Sequence, residues 1–191
     1  MVKTTSIALH LDDDELLNRF KNPSSKNYAF NLLTRKYQER IYWHIRKMVI
    51  SHDDTDDLVQ DTFVKVWKNL EKFKGNSQLY TWIYRIATNE CLGFLKKKRN
   101  RFFIPIHDIT NELANKLESD VNMDGSEIQF KLQKALLTLP DKQRLVFNMK
   151  YFDEMKYQEI SSILETSVGA LKASYHLAVK KIKVILKNEP F

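Results

Sequence analysis

A run of carboxylates is the feature of this sequence that most directly suggests chemistry. Four aspartates occupy five positions within SHDDTDDLVQDTFVKVW, residues 51–67, and an apolar stripe follows them. Such a run is compatible with a metal site, a catalytic carboxylate pair or the acidic first turn of a helix. A calcium loop requires alternating oxygen ligands, a glycine at its bend and a distal bidentate glutamate. This segment lacks that glycine and that glutamate, which argues against a metal.

Histidine spacing gives no support to catalysis either. The five histidines, His10, His44, His52, His107 and His176, form neither a metal-ligand spacing nor a triad pattern.

Helix capping explains Asp53 to Asp57, because acidic side chains in a first turn pair with free N–H groups and complement the helix dipole. Asp61 lies too far into the helix for that explanation.

The helix predicted from about residue 54 to 72 has two distinct sides. One side is apolar and consists of Val59, Phe63, Val66, Trp67 and Leu70. The opposite side carries Asp57, Gln60, Asp61, Val64 and Lys68. A face that combines carboxylates, an amide and an exposed valine fits a protein-docking surface. It equally fits an ordinary solvated face, and periodicity alone does not separate the two.

Composition and charge predict a helical chain with a polyanionic partner. Of the 191 residues, 43% are hydrophobic, which is enough to bury a core, and only four glycines and four prolines interrupt the chain. The net charge of +7 favours binding to nucleic acid, because basic side chains release counterions from a phosphate backbone. One cysteine and the lack of a long apolar run predict a cytoplasmic protein that does not insert into a membrane.

The predicted fold class is all-α, with two small helical domains joined by an acidic, flexible linker. Apolar residues recur at helical spacing at about 12–20, 28–49, 54–72 and 80–98, and again after residue 131. Between residues 102 and 129, six acidic residues face a single lysine and periodicity is lost. We therefore expect one domain at 1–101, a linker at 102–126 and a second domain at 127–191.

Residues 54–101 resemble the second conserved region of sigma-70 family factors, especially the extracytoplasmic-function type (group IV). The motifs DLVQDTF, FKGNSQLYTWIYRIATNE and KKKRNR occur in the family's order and at matching spacing. The resemblance implies that Asp57, Gln60 and Asp61 dock on a basic coiled coil in the largest subunit of RNA polymerase. Val64 shares their face and is assigned with them.

The resemblance further implies recognition and melting of the promoter's −10 element by the loop FKGNSQLY and the helix after it. Such a site needs polar groups that read a base, small residues for close approach and positive charge. The assigned residues are Lys72, Lys74, Gly75, Asn76, Ser77, Gln78, Tyr80, Asn89, Lys96, Lys97 and Arg99. Trp82 is assigned to the core. GNS also reads as a simple turn, and the basic run as a solvated helix end.

The C-terminal segment has the spacing of a helix-turn-helix, with helices at 157–164 and from 168 onward. Ser167 is the expected N-cap, and the apolar residues expected to join the helices are Ile160, Ile163, Leu164, Leu171 and Leu177. The segment is similar to the fourth sigma region, which reads the −35 element. SVGALKASYHLA lacks the family's arginines at Ser174 and Leu177, so weak binding or an unusual preference is expected. The assigned residues are Thr166, Gly169, Lys172, Ala173, Ser174, His176 and Lys180, although Lys180 also fits plain solubility.

The resulting hypothesis is a sigma factor that binds core RNA polymerase and promoter DNA, with no active site, metal or cofactor of its own. The resemblance also implies an anti-sigma protein as a further partner. A stand-alone helix-turn-helix repressor or activator is the first rival, but it requires a dimer interface and no heptad pattern supplies one. An enzyme acting on nucleic acid is the second rival, and the lack of a ligand or triad pattern argues against it.

Overall fold

The computed structural model describes residues 12–102 and 127–188, and side chains at 100–102 and 127 are outside that description. The described helices are α1 (Asp13–Lys21), α2 (Lys26–Val49), α3 (His52–Asn69), α4 (Leu79–Phe102), α5 (Glu127–Leu137), α6 (Asp141–Tyr151), α7 (Tyr157–Leu164) and α8 (Val168–Asn188). A short 3-10 turn, Leu70–Lys72, follows α3. The all-α prediction is confirmed, whereas the predicted linker lies almost entirely outside the described residues.

Capping places the beginning of each functional helix. The Ser51 hydroxyl accepts from the Asp54 N–H at 3.4 Å, and Asp53 and Asp54 occupy the first turn of α3. The predicted cap of α8 is also present, since the Ser167 hydroxyl accepts from the Ala170 N–H at 3.3 Å. Between α7 and α8, Glu165 adopts a left-handed conformation with φ of 51°, and this residue makes the sharp turn of the helix-turn-helix.

The core is continuous from the N-terminal half into the C-terminal half. Helices α1 to α4 bury Phe20, Ile45 and Ile83 among others, and the same cluster includes Leu145 of α6 and Ile160 of α7. Helix α4 packs against α7, and α2 packs against α6. A smaller cluster joins α5, α6 and α8. The two halves thus share buried apolar surface in addition to their covalent connection.

His44 lies within this shared core and is completely buried. Its Nε2 is 3.0 Å from the Thr88 hydroxyl, and its Nδ1 is 3.5 Å from the Asp153 carboxylate. Burial lowers the pKa of His44 below its ordinary value of 6.5, although Asp153 opposes the shift. The imidazole therefore takes up a proton at a lower pH in the folded chain than in the unfolded chain.

We predict that unfolding stability falls as pH is lowered from 7.5 to 5.5. The unfolded chain protonates His44 near pH 6.5, so the stability present above that pH is lost below it, with a slope of up to about 1.4 kcal/mol per pH unit. Urea unfolding of wild type and His44→Gln measures the effect, and the variant should show a shallower slope. His176→Gln, on the exposed side of α8, should keep the wild-type slope. Identical slopes for wild type and His44→Gln would contradict the prediction.

Candidate functional site

The outer side of α3 presents the predicted docking residues together. Asp57, Gln60, Asp61 and Val64 are all exposed, and the Val64 side chain retains 45% of its accessible surface. The opposite side of α3 is buried through Leu58, Thr62, Phe63 and Val66, and the Thr62 hydroxyl donates to the Leu58 carbonyl at 2.7 Å. This separation leaves a strip of negative charge around one exposed apolar side chain.

Aromatic side chains of α2 lie beside the start of α3, and sequence periodicity did not reveal them. Trp43 is 51% exposed, and its ring centroid lies 5.3 Å from that of Tyr42. The Tyr42 hydroxyl is 3.1 Å from Nδ1 of His52, at the start of α3. A tryptophan on the exposed side of a helix is uncommon, so Trp43 could have served as a sequence signal for this surface.

The loop between the 3-10 turn and α4 holds most of the residues assigned to the −10 element. Gly75 has φ of 72°, a conformation that strongly favours glycine. Asn76 and Gln78 are exposed, Ser77 is half-buried, and Lys72 and Lys74 flank the loop. A cavity of about 590 Å³ opens beside the loop, and its lining includes Gly75, Ser77 and Gln78. The loop can therefore offer polar groups and backbone to a ligand in that cavity.

Tyr80 and its neighbours differ from the expectation of a free stacking ring. The Tyr80 ring lies 4.7 Å from the Tyr84 ring and 5.9 Å from the Tyr37 ring, and the Arg40 guanidinium covers it at 4.5 Å. Burial raises the pKa of Tyr80. The structure places Tyr80 among the packed aromatics, so stacking on a base would require displacement of Arg40. Trp82 packs against Phe73, in line with its assignment to the core.

The remaining residues predicted to contact the −10 element lie along α4. Asn89, Lys96 and Lys97 are exposed, whereas Arg99 forms an ion pair with Asp141 at the start of α6. Arg85, one helical turn before Asn89, pairs with Glu165 at 3.1 Å. Part of the surface assigned to DNA is thus occupied by acidic side chains from the C-terminal half.

The helix-turn-helix presents most of its assigned residues to solvent. Gly169, Lys172, Ala173, His176 and Lys180 are exposed on α8. Thr166 and Ser174 are half-buried and line a second cavity, of about 390 Å³, together with Asn89 of α4.

Four of the five side chains expected to join α7 and α8 lie between them, but Leu177 does not. Ile160, Ile163 and Leu171 are buried, and Leu164 is half-buried against the core. Leu177 is 48% exposed, so that prediction is wrong. Ala178, the next residue, is completely buried and takes the inward position two helical turns after Leu171.

Within residues 12–102 and 127–188, no group of three or more histidine, cysteine, aspartate or glutamate side chains is placed to hold a metal ion. Over these two ranges no helix combines the length and the hydropathy that a membrane crossing requires.

Comparison with known proteins agrees with this arrangement. Sigma-70 region 2 matches residues 33–101, and Sigma-70 region 4 matches residues 129–182. The ECF RNA polymerase sigma-E factor of Escherichia coli K12 is 30% identical over 173 residues, covering 85% of this chain and 88% of that protein. The ECF RNA polymerase sigma factor SigW of Bacillus subtilis 168 is 28% identical over 169 residues, covering 84% and 90%.

A solved structure shares the fold. It is the sigma factor RpoE from Bartonella quintana in complex with the anti-sigma factor NepR, with a TM-score of 0.64 and 22% identity, covering 86% of this chain and 99% of that one.

Fold, surfaces and relatives together define a transcription initiation factor of the sigma type. The chain belongs to the sigma-70 family of RNA polymerase sigma factors, in the extracytoplasmic-function group. It binds core RNA polymerase and directs promoter-specific transcription initiation. Sigma factors are non-enzymatic initiation factors.

We predict that Gly75→Ala lowers the free energy of unfolding by about 1 kcal/mol, because an L side chain is strained at its positive φ. An added Cβ would meet no atom within 4 Å, so the cost is confined to the backbone. Gly169→Ala is the matched control: it lies in α8, its added Cβ is equally unobstructed, and its stability should be unchanged or higher. Equal effects of the two substitutions in urea unfolding would contradict the prediction.

Proposed function

We propose that the exposed strip of α3, formed by Asp57, Gln60, Asp61 and Val64, is the surface that docks on core polymerase. The observation that carries this proposal is the clean division of α3 into a buried apolar side and an exposed acidic side. Among the described residues, neither Asp57 nor Asp61 takes part in an ion pair, so both charges are available to a basic partner. Opposite charges across such a surface steer encounter, and an apolar residue at its centre adds affinity.

The −10 element is proposed to contact the loop at residues 72–78 and the exposed side of α4. The polar side chains of Ser77 and Gln78 line a cavity, Asn76 is exposed next to Ser77 in the chain, and these groups suit a base removed from the stack. Lys96 and Lys97 suit the phosphates that follow, because their exposed ammonium groups lie on one helix end.

The −35 element is proposed to contact α8 as the recognition helix. Lys172, His176 and Lys180 lie on its exposed side, and Gly169 allows close approach of the backbone. Ser174 and Leu177 supply no guanidinium group, so fewer bidentate contacts to guanine or phosphate are available. We infer that this domain binds its element weakly and depends on polymerase to hold it near DNA.

The domain boundaries proposed for these activities are 1–101, 102–126 and 127–191. We further propose that the protein works in the cytoplasm beside polymerase, that it carries no catalytic site and that an anti-sigma protein sequesters it. The complex of the Bartonella quintana sigma factor with an anti-sigma factor supports the last proposal.

We predict that Asp57→Arg combined with Asp61→Arg abolishes binding to core polymerase while helicity is retained. Charge reversal places guanidinium groups against a basic partner, and like charges at an interface cost several kcal/mol. Co-purification with core polymerase measures binding, and circular dichroism measures helix content. Asp14→Arg with Glu154→Arg makes the same change in net charge at exposed positions elsewhere and should leave binding intact. Undiminished co-purification of the α3 variant would refute the docking assignment.

We predict that Asn76→Ala with Ser77→Ala changes the −10 preference without weakening polymerase binding. Removing the amide and the hydroxyl eliminates hydrogen bonds to one base, which are worth about 1–3 kcal/mol of discrimination. Transcription from a promoter library randomised at the −10 element measures the preference. Asn31→Ala, at an exposed position on α2, serves as the control. A promoter profile identical to that of wild type would count against the loop assignment.

A further inference from the structure

The second cavity, of about 390 Å³, lies between the N-terminal and C-terminal halves of the chain. Its lining comes from α4 on one side and from α6, α7, α8 and the turn between α7 and α8 on the other. Small-molecule sites in proteins are concave, have volumes of about 300–1,000 Å³ and combine a mainly apolar lining with a few polar groups. The size of this cavity fits a small molecule, and its side chains indicate which kind.

The apolar part of the lining is extensive. It consists of aliphatic side chains from all four helices: Leu92, Leu145, Val146, Ile163, Leu164 and Leu171. Contact with them would stabilise a hydrocarbon group by removing its surface from water. An apolar cavity of about 150 Å³ holds benzene, so this one has room for a tail of roughly ten carbons and a polar head.

Two cations face one acid in the polar part of the lining. The cations are Arg85 of α4 and Lys142 of α6, and the acid is Glu165. Among the residues that the structure describes, Lys142 has no ion-pair partner. Nη2 of Arg85 donates to the Ser162 carbonyl, but Nε of Arg85 is buried and has no hydrogen-bond partner in the described part of the chain. A buried N–H group without an acceptor is costly, so an oxygen atom placed beside it would stabilise the site.

The acid that contacts Arg85 is a weak competitor for such an oxygen. The side chain of Glu165 is 75% exposed, and its carboxylate lies 3.1 Å from Nη1 of Arg85. An ion pair this exposed contributes little, because water screens it. A carboxylate inside the cavity would meet the same guanidinium with less water around it and would also accept from the free Nε–H. The polar groups therefore favour an anion.

We propose that the second cavity binds a small amphipathic acid, a carboxylate with a hydrocarbon tail of roughly ten carbons. The head lies at Arg85 and Lys142, and the tail lies against the aliphatic lining. Such a ligand touches both halves of the chain. Its binding is therefore linked to the packing of α4 against α6 and α7, and it stabilises the folded chain by an amount that grows with ligand concentration.

Three polar residues that were assigned to promoter contacts also line this cavity. They are Asn89 of α4, Thr166 and Ser174. A bound acid would cover them, so the expected effect of the acid on transcription is inhibition. That consequence rests on the proposed function, whereas the binding of the acid does not.

The test begins with calorimetric titration of the full chain by octanoate, decanoate and dodecanoate, each below its micelle concentration. Decanoate should bind at one molecule per chain and raise the urea concentration at which the chain unfolds. 1-Decanol has the same tail without the charge and should bind about tenfold more weakly, because a charge-assisted hydrogen bond is lost. Decyltrimethylammonium, which carries the opposite charge, should not bind.

Substitutions then locate the head of the ligand. Arg85→Gln should weaken decanoate binding by about tenfold. Arg35→Gln, at an exposed arginine of α2, makes the same change in net charge and should bind decanoate like wild type. Glu165→Gln removes the competing carboxylate and should bind decanoate at least as tightly as wild type. If the Arg85–Glu165 pair acted only on the structure, both of its substitutions would weaken binding.

A further substitution blocks the cavity without touching its cations. Ala170 lines the cavity and is exposed near the beginning of α8, so a larger side chain there is compatible with folding. Ala170→Phe should abolish decanoate binding. This variant keeps the test decisive if Arg85→Gln does not fold.

The outcomes separate the site from its consequence for transcription. Absence of saturable binding by all three acids overturns the proposal, and so does equal binding of decanoate and 1-decanol. Decanoate binding that Ala170→Phe leaves unchanged lies elsewhere and overturns the assigned site. If decanoate binds in the cavity but does not reduce transcription by the reconstituted polymerase, the site stands and the inhibition is refuted. None of these measurements depends on the docking of α3, which has its own test.

Discussion

Helix α4 must bury two of its sides, and the rest of the architecture follows from this constraint. Ile83 and Ala87 belong to the core formed with α2 and α3. The Tyr84 hydroxyl donates to the carboxylate of Asp153, in the loop after α6. A helix has only one remaining side once two are buried, and on α4 that side carries Asn89, Lys96 and Lys97. The position of the candidate DNA residues is therefore a consequence of how α4 packs.

The contact between the N-terminal and C-terminal halves contains buried charged and polar groups, which an ordinary apolar core lacks. Burial alone would raise the pKa of Asp153, but hydrogen bonds with His44 and Lys47 and the nearby positive charge outweigh burial and lower it to about 2. Burial raises the pKa of the Tyr84 hydroxyl, which consequently remains a donor to that carboxylate. Separation of the halves would return these groups to water, and their hydration would offset part of the lost contacts. An apolar interface of equal size would receive no such compensation.

Sequence patterns were sufficient to predict the helices and the exposed acidic side of α3, because apolar residues spaced at about 3.6 positions show which side of a helix is buried. They were insufficient where one helix has two buried sides. Tyr80 looked free because its spacing placed it beside a polar loop, yet Arg40 and two tyrosines cover it. Leu177 looked buried because it is apolar, yet Ala178 takes the inward position. Asp153 gave no signal at all, because its partners lie more than 60 residues away in the chain.

Charge separation within the chain explains how one small protein can serve partners of opposite sign. The acidic strip on α3 and the basic end of α4 lie on elements that pack together, but their charged sides face different surroundings. A partner that docks on the acidic strip of α3 would leave the buried sides of α3 and α4 in place, because those sides face the core.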